Sequence, residues 1–271
     1  MPDQGTWTIK RVLDWTCGYL ERKGDEHPRL SAEWLLAAVT GLSRVELYTN
    51  FDRPLQPGEL DEMHVAIERR AAGEPLQYVT GEMPFRHIVL RCERGVLIPR
   101  PETEILVDAA LEGVDRAAAE GGARVLEVGT GTGCVASRNR DALGLEDVVD
   151  VVECDLAAGV DPELMGSFAV LVSNPPYIPT RVLAEEVPAE VRDFEPELAL
   201  DGGADGLDVF RRLLDLAPIA LAPGGTLAVE LFEGALDAAA DLVRARDGWE
   251  TVEVREDLTH RPRVLVAVRE G

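Results

Sequence analysis

The five residues Ser173-Asn174-Pro175-Pro176-Tyr177 place an amide, two prolines and a phenol at the end of an apolar run, Phe168-Ala-Val-Leu-Val-Ser173. That run reads as a buried strand. Open α/β sheets carry their chemistry at the C-terminal ends of strands. An asparagine before proline is pushed toward an extended backbone, and neither proline has an N–H. The turn is therefore stiff, and its carbonyls have no local donors and can face a ligand. Asn-Pro and Pro-Pro also mark ordinary turns, so the motif gains meaning only from its companions.

Two other stretches supply them. Arg124-Val-Leu-Glu127-Val128 reads as a buried strand that runs directly into Gly129-Thr130-Gly131-Thr132-Gly133. Glycines here let a ligand approach the backbone. The spacing is G-x-G-x-G and not the dinucleotide fingerprint G-x-G-x-x-G. Glu127 is read as orienting this loop. Upstream, Ile98-Pro99-Arg100-Pro101-Glu102-Thr103-Glu104 precedes an apolar helix, Ile105 to Leu111. Its prolines hold Arg100 rigidly, and its acidic residues suit a helix N-terminus.

Three regions position these residues. Residues 1–80 read as a small helical bundle that binds a partner or covers a site, with helices over Trp7–Leu20, Ser31–Val39 and Pro57–Ala72. Ser31 is the expected N-cap of the second, and Gly41 and Gly73 are stops. Residues 81–98 read as a hairpin linker with strands at Phe85–Leu90 and Gly95–Ile98. Residues 99–271 read as an α/β domain: after the central motif come a polar loop (Pro188–Leu200), a helix (Gly206–Ala220), a strand (Thr226–Leu231) and a helix (Ala235–Ala245). Two strands, Trp249–Val254 and Arg263–Arg269, finish it in antiparallel fashion.

One crossover is too short. Only the 14 residues 134–147 separate the glycine turn from Val148-Val-Asp-Val-Val152, which reads as a strand; a βαβ unit needs about 30 residues. A helix, a strand and most of another helix are missing between Ala136 and Ser137. The expectation is a disordered segment absent from the numbering. The alternative is a deletion, which would take a strand from the middle of the sheet.

Composition narrows the class of function. Twenty-seven basic against fifty acidic residues leave a net charge of −23, a surface that repels phosphate backbones. Sequence-specific nucleic-acid binding is disfavoured. Cys17, Cys92, Cys134 and Cys154 are widely spaced and read as free thiols, and the four histidines are scattered, so no metal site is argued. No apolar run approaches the roughly 20 residues of a membrane helix, and the start lacks a signal-peptide pattern. A cytoplasmic, monomeric protein is expected.

Taken together and in order, Leu97-Ile-Pro-Arg-Pro-Glu-Thr-Glu104, Leu126-Glu-Val-Gly-Thr-Gly-Thr-Gly133, Val172-Ser-Asn-Pro-Pro-Tyr-Ile178 and Phe194-Glu-Pro-Glu-Leu-Ala-Leu200 resemble the peptide chain release factor glutamine methyltransferases (the HemK/PrmC family). The resemblance covers essentially the whole chain. It implies a class I, Rossmann-like methyltransferase fold: a mostly parallel sheet with an antiparallel C-terminal strand. The implied reaction carries a methyl group from S-adenosylmethionine to the amide nitrogen of a release-factor glutamine (a GGQ motif), leaving S-adenosylhomocysteine. The implied cofactor residues are Glu127, Gly129, Thr130, Gly131, Thr132, Gly133, Asp155, Leu156 and Asn174. An acid after the second strand normally binds the ribose hydroxyls, and here it falls in the missing segment. Asn174, Pro175 and Tyr177 are the expected catalytic group, with Pro176 and Arg100 also toward substrate.

An amide nitrogen is a poor nucleophile, so the expected task is positioning, which supplies on the order of 7–11 kcal/mol at best. The Asn174 oxygen and the Pro175 carbonyl would accept the two N–H groups, and Tyr177 would pack on the flat amide. The Asn-Pro-Pro-Tyr motif alone also fits an adenine-N6 nucleic-acid methyltransferase, and the short crossover leaves open a catalytically inactive adenosyl-binding protein.

Overall fold

The computed structural model describes residues 6–118, 122–131 and 139–271. The chain divides into two compact units, Met1–Met83 with Cys92–Arg94, and Pro84–Arg91 with Gly95–Gly271.

The first unit is helical. Its main helices are α1 (Ile9–Arg22), α2 (Pro28–Thr40) and α4 (Pro57–Ala71), with single-turn α3 (Arg44–Thr49) and α5 (Leu76–Thr80) between and after them. The apolar stripe of α1 buries Ile9, Val12, Leu13 and Leu20 against Leu35, Leu36, Leu47, Met63 and Ile67. Thr8 caps α1, and Gly41 ends α2 in a left-handed conformation. Ser31 does not cap α2. Pro28, with its φ already helical, starts that helix three residues earlier, and the Ser31 hydroxyl donates to Asp25 at 2.8 Å. The short helices α3 and α5 escape a periodicity argument because they span five or six residues.

The hairpin is β1 (Glu82–Phe85) and β2 (Ile88–Arg91), not the pair expected at 85–90 and 95–98. The turn falls inside the first expected strand. Arg86 sits at φ 52°, its backbone N–H donating to Glu104 at 2.9 Å and its guanidinium bound to Asp108.

The second unit is built on a five-stranded sheet of order β3-β4-β5-β7-β6: β3 (Val125–Val128), β4 (Phe168–Ser173), β5 (Leu221–Glu230), β6 (Trp249–Glu256) and β7 (Pro262–Arg269). β3, β4 and β5 are parallel, with Val128 level with Ser173 and Ser173 level with Val229. β7 runs antiparallel between β5 and β6. Helix α6 (Thr103–Ala118) covers one face through Leu106 and Ala109. On the other face α9 (Asp208–Ala220) and α10 (Leu236–Arg244) bury Phe210, Leu213, Leu214, Leu236 and Val243. This is the layered, Rossmann-like sheet expected of a class I methyltransferase. The stretch expected to be a loop at 188–200 instead holds α8 (Ala189–Phe194) and a 3-10 turn, Glu197–Ala199, shortly after α7 (Thr180–Glu185).

Val148–Val152 is not a strand. Val148, Val149 and Val152 are exposed. The expected break between Ala136 and Ser137 lies outside the described residues. β3 is left as the sheet edge, and a β-rich segment without a ladder to join stays irregular.

Candidate functional site

The parallel register brings the ends of β3, β4 and β5 to one level, and the site grows from there. The buried Ser173 hydroxyl donates to the Val128 carbonyl at 2.7 Å, tying β4 to β3. The next residue, Asn174, uses its Nδ2 to donate to Thr103 Oγ1 at 3.3 Å. Its Oδ1 is buried and has no hydrogen-bond donor among the described residues. A buried acceptor in that state normally has a partner, so it marks a place for an incoming N–H.

Beyond Asn174, Pro175 is buried and Pro176 half-buried. The Tyr177 hydroxyl donates to Glu230 Oε1 at 3.0 Å. Burial, then the neighbouring Glu230 charge, pushes the Tyr177 phenol well up, so it remains a donor. Glu230 closes β5 and is 1% exposed. Burial raises its carboxyl above the ordinary range, partly offset by the hydroxyls of Thr103 and Tyr177 and by Arg263. Its Oε2 has no donor among the described residues.

The Phe194–Leu200 segment braces this turn. Ile178 N–H donates to Leu200 O at 2.9 Å, and Gly202 N–H returns to Ile178 O at 2.9 Å. A side chain at Gly202 would stand 2.7 Å from Tyr177 Cα, so only glycine allows the approach. Glu195, buried, accepts from Ile98 N at 3.1 Å and from the Arg100 guanidinium, whose Nη1 also donates to Ile98 O at 3.1 Å. Arg100 thus lines a small cavity with Leu97, Asn174, Tyr177, Val191 and Leu200 while its strongest contact is internal.

On the β3 side, Gly129 and Gly131 take φ of 89° and 79°, a left-handed conformation that suits glycine. The Cβ position of Gly129 faces Ser173 Oγ and the Asn174 carbonyl at 3.7 and 3.9 Å, so glycine turn and amide are neighbours. Thr130 is exposed; Thr132 and Gly133 lie outside the described residues. Glu127 is solvent-accessible, and the protein packed around it raises its carboxyl above the ordinary range. Asp155 is exposed and paired with Arg212 at 2.6 Å, and Leu156, at φ 52°, packs on the core. Cys17 and Cys154 are free thiols and Cys92 is buried; Cys134 is outside the described residues. Among the described residues no His, Cys, Asp and Glu cluster could hold a metal, and no helix is long and apolar enough to cross a membrane.

Sequence reasoning missed Glu230, Glu195 and the contact made by Thr103. Glu230 had a signal: a carboxylate closing the otherwise apolar Leu227-Ala-Val-Glu230 has to find donors or a function.

A model of the PrmC N-terminal domain matches residues 11–81. A release factor glutamine methyltransferase of Geobacter sulfurreducens is 44% identical over 245 residues, covering 83% of this chain and 84% of its own length. One from Rhodopirellula baltica is 34% identical over 285 residues, 96% of this chain and 95% of its own. That aligned span exceeds the 271 residues of this chain, so the relative carries positions absent here. A solved release factor-specific protein-(glutamine-N5) methyltransferase of Alicyclobacillus acidocaldarius is 31% identical, with TM-score 0.39, covering 64% of this chain and 95% of that one. With identity of this order carried across most of both sequences, the chain belongs to the release factor glutamine methyltransferase family.

Proposed function

We propose that this chain methylates the side-chain nitrogen of a glutamine in peptide chain release factors, with S-adenosylmethionine as methyl donor. The observation that carries the reading is Asn174: its Oδ1 is buried without a donor while its Nδ2 is held by Thr103. The Asn174 oxygen and the Pro175 carbonyl accept the two N–H groups of a primary amide and aim its nitrogen. Tyr177, anchored through its hydroxyl on Glu230, walls the site with Pro176 and excludes water. Arg100 holds the substrate side of the cavity in shape through Glu195. No side chain has to remove a proton before transfer, because the nitrogen becomes acidic only once alkylated.

The glycine turn, with its backbone open at Gly129 and Gly131 beside Ser173 and Asn174, fits an adenosyl sulfonium. Bound there, the cofactor supplies an electrophilic methyl group. Glu127, Gly129, Thr130, Gly131, Thr132, Gly133, Asp155 and Leu156 would hold it beside Asn174. The acid expected to meet the ribose hydroxyls falls in the segment read as missing between Ala136 and Ser137, outside the described residues. Residues 1–80 are assigned to release-factor recognition, 81–98 to a hairpin linker and 99–271 to catalysis, in a cytoplasmic monomer that does not read nucleic-acid sequence.

The test is tritium transfer from labelled cofactor, with release factor and DNA offered side by side. Label is expected on the release factor alone, and Asn174→Ala is expected to reduce transfer by about 100-fold or more. Label on DNA would favour the adenine reading. Label on neither would leave an inactive adenosyl-binding protein, and near-normal transfer by Asn174→Ala would end the clamp.

A further inference from the structure

Helix α1 has two faces. One carries Ile9, Val12, Leu13 and Leu20 into the core of the helical unit. The other, with the residue before the helix, bears Trp7, Arg11, Trp15, Tyr19 and Lys23, each four positions from the next. On a helix that spacing makes one continuous stripe. Trp15 is stacked on Tyr19, with ring centroids 5.1 Å apart and planes 8° apart, and Trp7 stands at 86° to Trp15 with centroids 6.3 Å apart. Arg11 lies over the Trp7 ring at 4.4 Å from its centre and Lys23 over the Tyr19 ring at 5.6 Å. Trp7 is nonetheless 37% and Trp15 46% exposed.

Such a stripe is ordered before a partner arrives, which lowers the entropy cost of binding. Tryptophan, tyrosine and arginine are also the residues that carry most of the binding energy at protein interfaces. Charge selects the partner. Residues 7–23 hold four cations and two acids, on a chain whose net charge is −23. One of the two acids, Asp14, is taken up by Lys10 at 2.6 Å and Arg29 at 3.4 Å. The stripe is therefore a locally cationic strip on an acidic molecule, and carboxylates are its complement. A nucleic acid is less suited. The rings already engage one another and the two cations, which leaves less surface for bases to stack on, and the net charge repels a phosphate backbone. A second copy of this chain would bring the same excess of negative charge and be repelled as a whole.

We propose that the α1 stripe of Trp7, Arg11, Trp15, Tyr19 and Lys23 docks a segment of the release-factor substrate in which carboxylates stand beside apolar side chains. This rests on the reading of release factor as the substrate. The stripe belongs to the helical unit and the Asn174 turn to the α/β unit, so the stripe contributes to holding the substrate protein and takes no part in methyl transfer.

The test uses the full chain with intact release factor, read by KM, kcat and the dissociation constant from calorimetry. Trp15→Ala, and Arg11→Gln combined with Lys23→Gln, are each expected to raise KM and the dissociation constant about 10- to 30-fold. Their kcat and their affinity for S-adenosylhomocysteine are expected within about threefold of the parent. Trp15→Tyr, which keeps an aromatic ring for the stack, is expected to restore KM to within about threefold. The parent's affinity for release factor should fall as salt rises and that of the charge pair should fall less, because exposed charges are screened. Parental KM in both Trp15→Ala and the charge pair overturns the proposal, as does a loss confined to kcat or a Trp15→Tyr as impaired as Trp15→Ala. Should Trp15→Ala unfold the helical unit, the charge pair, both of whose side chains are exposed, decides by itself. A parent dimer that the charge pair disperses, or single-stranded RNA bound by the parent and released by the charge pair, would give the stripe to another occupant and also overturn it. If the parent methylates release factor and the variants keep its KM, this inference alone fails. If the parent transfers no methyl group to release factor, the functional reading fails and takes this inference with it.

Discussion

Arg100 shows how a buried partner adds a second task to a residue that the sequence places toward substrate. Two flanking prolines mark it as rigid, and rigidity beside a cleft reads from sequence as substrate contact. In the fold its guanidinium is bound to a Glu195 side chain that is 1% exposed, joining two motifs 95 residues apart. Removing one partner of such a pair leaves a buried charge unmatched, at about 3 kcal/mol or more. Arg100→Met is therefore expected to lower the unfolding free energy by about 3 kcal/mol, measured by urea titration. Unchanged stability with a raised KM for release factor would return Arg100 to direct substrate contact. The asymmetry in legibility has the same origin. Asn174 announces itself because Asn-Pro-Pro is locally stiff, whereas Glu195 and Glu230 acquire meaning only from partners distant in sequence.

At the scale of elements, strand periods and glycine stops made the sheet, the long helices and the C-terminal antiparallel pair readable in advance. What misled was the assumption that a β-rich segment finds a ladder. Val148–Val152 has the composition of a strand and pairs with no strand among the described residues. The acid expected to meet the cofactor's ribose falls in the segment read as missing between Ala136 and Ser137. Hydrogen bonds to a charged group contribute about 1.5–3 kcal/mol, and 1.4 kcal/mol is tenfold in affinity. The dissociation constant for S-adenosylhomocysteine, by calorimetry, is therefore expected about 10- to 100-fold above that of the Geobacter sulfurreducens relative. Equal affinities would mean that another carboxylate of this chain takes the ribose, with Asp155, displaced from Arg212, the first to examine by substitution.

For the molecule as a whole, the excess of acidic residues conceals two uses of carboxylates. Most are solvated and set the charge of −23. A few are buried in the N-terminal unit and matched to arginines: Asp25 with Arg70, Glu33 with Arg29 and Arg44, Glu74 with Arg69 and Arg94. Burial of Glu33 is outweighed by hydrogen bonds from Tyr48, Arg44 and Arg29, which hold its pKa at about 2. Arg69 above all, with Arg94, does the same for Glu74, also at about 2. Both values are depressed, so their contribution to stability is complete above the ordinary carboxylate value of 4.5 and is lost as pH falls toward about 2. Because the arginines are partly solvated, each acid contributes on the order of 2 kcal/mol. Trp7, Trp15 and Trp34 belong to this unit and Trp249 to the other, so Trp249→Phe makes fluorescence a reporter of the helical unit alone. In that background the unit is expected to lose stability between pH 4.5 and 2, followed by urea titration at each pH. Adding Glu33→Gln and Glu74→Gln should lower its stability at neutral pH and flatten the dependence across that window. A double variant that keeps the parent's acid slope would place the sensitivity elsewhere, with Asp25 and its Arg70 partner the remaining buried pair to carry it.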